Sequence, residues 1–190
     1  MATVQLTESM LQARVSLSEA ELRKLVLSHP QVLGYGFEGN IEPKLAALTA
    51  RLLLSEAELR KLVLSHPSVL SKSFEGNIEP KLAALTARLL LSEAELRKLV
   101  LSNPSVLGYS FEGNIEPKLS FLQCELGLNL PELCAALLRT RTILSVGLDK
   151  SLRPNVALWR RSLDAEGYDL KEVATECGFV FLTYEFLTYS

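Results

Sequence analysis

The stretch SEAELRKLVLSHP occupies residues 18–30, recurs letter for letter at 55–67, and returns at 92–104 with Asn103 in place of the histidine. One well-placed nucleophile or base is enough for a reaction, so verbatim repetition points to stacked identical units rather than to catalysis. The phrase also shows how each unit starts. Ser18 and Glu21 make S-x-x-E, in which the hydroxyl caps the amide of the third helical residue and the carboxylate reaches back, the cap contributing about 0.5–2 kcal/mol. The same box is expected at Ser55/Glu58, Ser92/Glu95, Asn129/Glu132 and Asp169/Glu172. Pro30 and Pro67 disfavour helical geometry just before them, so the first helix should run about ten residues. A helix that short is marginal alone and must be held by packing. Leu22, Leu25 and Val26 supply its main apolar stripe.

Working outward at an offset of 37, Ser18 aligns with Ser55, Ser92 and Asn129, and Pro43 with Pro80, Pro117 and Pro154. Residues 18–54 and 55–91 differ only at Gln31/Ser68, Gly34/Ser71, Tyr35/Lys72 and Gly36/Ser73. Each unit carries a second helix over NIEPKLAALTARL. Gly39 is unfavourable inside a helix and Pro43 has no amide to donate, so Asn40 is the expected cap, with an earlier, kinked start as the alternative. Ile41, Leu45, Leu48 and Leu52 form its apolar seam. The segment between the helices is short and rich in Gly and Ser, which predicts a brief 3₁₀ turn. The expected fold is an all-α α-solenoid of four to five stacked helix-pair repeats with short 3₁₀ turns. It forms a single helical-repeat domain over 1–190, with repeats at 18–54, 55–91, 92–128 and 129–168 and partial repeats at 1–17 and 169–190.

The 190 residues are 48% hydrophobic with a formal charge of -2, which fits a folded chain and gives no global attraction to polyanions. No apolar run approaches the roughly 20 residues of a membrane span. The opening MATVQLTESMLQAR has the look of neither a signal nor a transit peptide. Three cysteines without a C-x-x-C pair speak against a disulfide framework or a zinc site and fit a reducing compartment. His29 and His66 sit one repeat apart with Asn103 third in the series. They read as bonding near a helix end rather than as a metal site or catalytic base. No phosphate loop, H-E-x-x-H or EF-hand spacing is present.

The capped helix ending in S-H-P or S-N-P, the following S-V-L-G-Y-S, then F-E-G-N-I-E-P-K-L and the closing L-G-L at 126–128 resemble the repeat of the mitochondrial transcription termination factor (mTERF) family. The resemblance covers nearly the whole chain. It implies a helix-pair solenoid that binds double-stranded DNA or structured RNA in mitochondria or chloroplasts, in transcription termination, transcript maturation or ribosome assembly. It does not imply an enzyme; the chain is expected to be a monomer without cofactor, metal or membrane attachment, with other organellar gene-expression proteins as further partners.

Charge placement nominates the binding residues. On the second helices Lys44 and Arg51 share one edge opposite Glu42, repeated as Lys81/Arg88 against Glu79 and in half as Lys118 against Glu116. Stacking would align these into a row of cations broken by Glu125, each neutralised phosphate adding about 0.9 to the salt slope of duplex binding. Ordinary solvated faces with local Glu/Lys pairs would give the same pattern. A denser block follows: Arg139, Arg141, Lys150, Arg153, Arg160 and Arg161 against the single acid Asp149. Arginine suits phosphate through its two-pronged donor fork, although arginine stems also cover apolar surface at an array's end. Trp159 stands among Val156, Leu158 and Leu163, as a core residue would, with base stacking as the other use. Tyr35 and Tyr109 alternate with Lys72 and Val146 at an exposed turn. The competing function is a helical scaffold for protein–protein interaction.

Overall fold

A computed structural model describes residues 2–140 and 142–183. Among them the elements are α1 (Ala2–Val15), α2 (Glu19–Ser28), α3 (Glu42–Leu52), α4 (Glu56–Ser65), α5 (Glu79–Leu89), α6 (Glu93–Ser102), α7 (Glu116–Glu125), α8 (Leu130–Arg139), α9 (Arg153–Glu166) and α10 (Leu170–Cys177), with short 3₁₀ and π turns and no strand. This is the all-α helix-pair repeat class, the α-solenoid. The chain forms two compact units divided between Ala83 and Ala84.

The first helices form as the capping boxes dictate. Ser18, Ser55, Ser92 and Asn129 each accept the amide of the third helical residue, and that residue's glutamate accepts the cap's own amide. Asp169 differs: it accepts from Lys171 N and closes no reciprocal box with Glu172. The apolar stripe is buried where packing reaches it, with Leu59, Leu62, Val63, Leu96, Leu99 and Val100 all at 0–1% exposure. In the first repeat only Leu25 is buried, and Leu22 and Val26 are half-buried. The 3₁₀ turns stand where expected, at Pro30–Gly34, Pro67–Ser71 and Pro104–Leu107.

The second helices start earlier than an Asn40 cap would allow. A π turn, Phe37–Ile41, runs directly into α3, and its equivalents are Phe74–Ile78, Phe111–Ile115 and Leu148–Leu152. The caps are therefore Gly36, Ser73, Ser110 and Gly147. Ile41 N bonds the Gly36 carbonyl five residues back at 3.3 Å, as Ile78 does Ser73 and Ile115 does Ser110. The cause is the proline two residues on: it cannot donate, and the wide turn shifts the bonding register just ahead of that gap. Ile41, Leu45, Leu48 and Leu52 then form the anticipated seam at 0–2% exposure.

In the second unit α7 and α8 are joined across a break of 116° between Phe111–Glu125 and Leu130–Arg139. Among the described residues no single helix is long and apolar enough to cross a membrane. The unit is sealed at Gly178, whose φ of +69° favours glycine. A Cβ there would also lie 2.9 Å from Thr140 Oγ1 and 3.2 Å from the Ala136 carbonyl.

Candidate nucleic-acid interface

The second-helix cations point inward. Lys44 Nζ donates to Asn40 Oδ1 at 2.6 Å and to the Leu70 carbonyl of the following repeat at 3.0 Å. Lys118 Nζ repeats this with Asn114 Oδ1 at 2.8 Å and the Leu144 carbonyl at 2.6 Å. Lys81 Nζ donates to Asn77 Oδ1 at 3.2 Å. Lys81 and Lys118 are only 5% and 3% exposed. Burial lowers the Lys44 and Lys118 ammonium pKa from its ordinary value, the nearby Glu75 charge partly opposing this at Lys44. The Tyr35 and Tyr109 rings cover these ammoniums, 5.3 and 5.1 Å from Nζ to centroid.

Repeat four shows what this position is for. Asn155 stands 37 residues after Lys118, is 8% exposed, and donates Nδ2 to the Leu182 carbonyl at 2.8 Å. A neutral amide thus makes the same kind of inter-repeat bond. The requirement is a donor for a buried carbonyl, not a positive charge.

The second-helix arginines are also engaged. Arg51 Nε spans both carboxylate oxygens of Glu79 at 3.1 Å, and Arg88 Nε spans those of Glu116 at 3.0 and 2.9 Å. Arg14 grips Glu42 in the same way. Each pair joins residues 28 apart, one repeat's second helix to the next, and each is only partly exposed. The sequence contained this signal in the recurring R-x27-E spacing, which a search for a cation row overlooks. Within each unit, main-chain carbonyls, asparagine oxygens and carboxylates of the protein thus claim donors of Lys44, Arg51, Lys81, Arg88 and Lys118, the residues expected to form an open row.

The later block is arranged differently. Lys150 lies in the Leu148–Leu152 turn and is exposed, as is Arg161 on α9. Arg153 pairs with Asp149 at 2.9 Å within one turn, both groups largely solvated at 54% and 84% exposure, and its guanidinium lies 4.8 Å from the Phe121 centroid. Arg160 pairs with the Glu125 carboxylate at 3.1 Å, donates Nη2 to the Glu125 main-chain carbonyl as well, and is 44% exposed. Such exposed pairs are worth about 0–1 kcal/mol and exchange readily for a phosphate. Arg153, Arg160 and Arg161 fall within an arc of about 100° on the helix. Arg139 lies apart from these, its Nη1 donating to the Thr175 and Glu176 carbonyls at the end of α10. Arg141 lies outside the described residues.

Other candidates are absorbed into structure. Trp159 is half-buried, donates Nε1 to the Phe181 carbonyl at 3.0 Å, and meets the Phe181 ring edge-on at 5.5 Å. His29 and His66 end their helices beside Ser28 and Ser68, ring nitrogen to hydroxyl 3.1 and 2.8 Å. Burial, then the charges of His29, Lys81 and Lys72, push the His66 pKa down. Asn103 donates instead to the Thr140 carbonyl at 3.2 Å. Among the described residues no three His, Cys, Asp or Glu side chains are grouped to hold a metal ion.

Comparison with known proteins gives one result that bears on this arrangement. The family model described as mTERF matches residues 5–177, most of the chain. No curated protein matches.

Proposed function

Because the chain belongs to the mTERF family, we propose that it binds double-stranded DNA or structured RNA in organelle gene expression, regulating transcription or RNA maturation in a mitochondrion or chloroplast. The observation that carries the reading is the exposure of Lys150, Arg153, Arg160 and Arg161 on one turn and helix, in a chain whose other second-helix cations are committed internally. Arg141 belongs with this group by sequence, and Arg139 serves it indirectly by holding the end of α10. Binding through four phosphate contacts gives a salt slope of about −3.6 for duplex DNA, hence about 150-fold weaker binding at 200 mM than at 50 mM salt. An electrophoretic mobility shift at these two concentrations tests this. Undetectable or salt-independent binding contradicts it.

The alternative, a scaffold for another protein, draws on Leu27 and Leu53, which are 73% and 72% exposed. Leu53 sits at a left-handed helix end (φ 49°), a conformation that favours glycine. Salt-insensitive capture of a protein partner, with no duplex affinity, favours this second reading.

A further inference from the structure

The capping-box glutamates have a second use besides closing their own helices. Glu21 accepts Arg60 at 2.7 Å and Glu132 accepts Lys171 at 3.1 Å. Both cations stand 39 residues later, on the first helix of the next repeat. The residue in that place after Glu95 is Cys134. Its thiol donates instead to the Leu89 carbonyl, Sγ to O 3.2 Å, and burial, then the Glu95 charge, pushes its pKa up. Among the described residues no cation from a neighbouring helix reaches Glu95, which keeps only the Ser92 amide at 2.9 Å, the Ser92 hydroxyl at 2.6 Å and the field of Lys98 on its own helix. Lys24 holds the corresponding position beside Glu21, and Glu21 accepts Arg60 all the same.

The missing side chain leaves a space. Between α6 and α8 lies a groove of about 520 Å³, bordered by Leu89, Leu91, Glu95, Pro131, Cys134 and Leu138. The equivalent groove in the first unit, where Arg60 is present, measures about 390 Å³ and is bordered by Glu21, Ala57, Arg60 and Leu64. Lys98 and Arg139 also border the larger groove. Arg139 is turned onto the α10 carbonyls, and Lys98 repeats the arrangement that tolerates Arg60.

We propose that this groove receives an arginine side chain from a partner polypeptide, its guanidinium on Glu95 and its methylene stem along Leu89, Leu91 and Leu138. The occupant follows from charge complementarity and from the template two repeats away, where an arginine of the same chain makes this contact. The carboxylate supplies the planar acceptor that a guanidinium fits better than an ammonium does, and the apolar walls suit the stem. The site is independent of the nucleic-acid reading.

Solution NMR with two probes tests it: n-butylguanidinium chloride, and the acetylated, amidated peptide AELRKLVL, whose text is that around Arg60. Both should give saturable shifts at the Glu95, Cys134 and Ala135 amides, the small probe with a dissociation constant on the order of millimolar and the peptide with a lower one. AELAKLVL should not saturate. Cys134→Arg fills the groove from within and should abolish both titrations. Glu95→Gln keeps a residue able to close the capping box and should weaken both by about tenfold. Cys134→Ala should bind as the parent does. The proposal is overturned by absent or non-saturating shifts, by equal binding of AELAKLVL, or by an undiminished titration in Glu95→Gln. Binding of butylguanidinium without the peptide overturns the assignment to a polypeptide.

Discussion

On the second helices of the first three repeats, Lys44, Arg51, Lys81, Arg88 and Lys118 all bond to groups of the protein itself. On and just before α9 the cations keep more solvent: Lys150, Arg153, Arg160 and Arg161 are all exposed, although Arg153 also lies over the Phe121 ring and Arg160 also donates to the Glu125 main-chain carbonyl. Both sets are basic residues at helical spacing, and the spacing does not distinguish them. What does is the partner a fixed distance away. An asparagine four residues before a lysine, or a glutamate 28 residues after an arginine, marks a cation that stitches repeats together, whereas the block from 149 to 161 has one acid, Asp149, and neither spacing.

Four experiments strain this contrast, in descending order of effect. Replacing Lys150, Arg153, Arg160 and Arg161 together with alanine should remove about 3.6 from the salt slope of duplex binding in mobility-shift titrations, while the thermal midpoint stays close to that of the parent. Lys118→Met should do the converse. It strands the Leu144 carbonyl and the Asn114 oxygen, lowering the unfolding free energy by about 1–3 kcal/mol in urea titrations, and leaves the slope untouched. Arg51→Ala removes a partly solvated pair and should cost about 0.2–1 kcal/mol by the same measurement. Gly36→Ser supplies the cap that Ser73 and Ser110 give to Gly76 and Gly113 and should stabilise by a few tenths of a kcal/mol, about the Gly-to-Ser difference at a cap.

A pH titration sharpens the stitching half further. Glu21 has its pKa lowered from 4.5 to about 2, first by the Arg60 hydrogen bond and then by Ser18. A depressed carboxylate pKa means that the unfolded chain binds the proton more tightly. The contribution is therefore complete above about pH 4.5, falls as the pH drops, and is gone near pH 2. Arg60→Ala should narrow that window, seen as a smaller loss of thermal midpoint between pH 5 and pH 3 than the parent shows.

Much of the fold could be read from the residues because local chemistry dictated it. The S-x-x-E boxes, the prolines and the Ile41/Leu45/Leu48/Leu52 seam act within a few residues, and the structure follows them. The π turn was harder. Asn40 is a sound cap by residue type, and only the competing need to accommodate Pro43, together with a serine or glycine four residues earlier, moves the start back to Phe37. The interface was least legible, because an ammonium's destination depends on what the next repeat places above it. Leu70 and Leu144 offer main-chain carbonyls, whose availability no side-chain pattern records. One clue was present: Asn155 replaces the lysine in the fourth repeat, keeping a donor while dropping the charge, as a bond to a main-chain carbonyl permits.

The most direct test is lysine reactivity by mass spectrometry after reductive methylation of the folded protein, with and without duplex DNA. The account predicts that Lys118 and Lys81 resist modification in the free protein and do not change on adding DNA, whereas Lys150 reacts freely and is protected by the duplex. Rapid methylation of free Lys118, or DNA protection at Lys118 but not at Lys150, would contradict it.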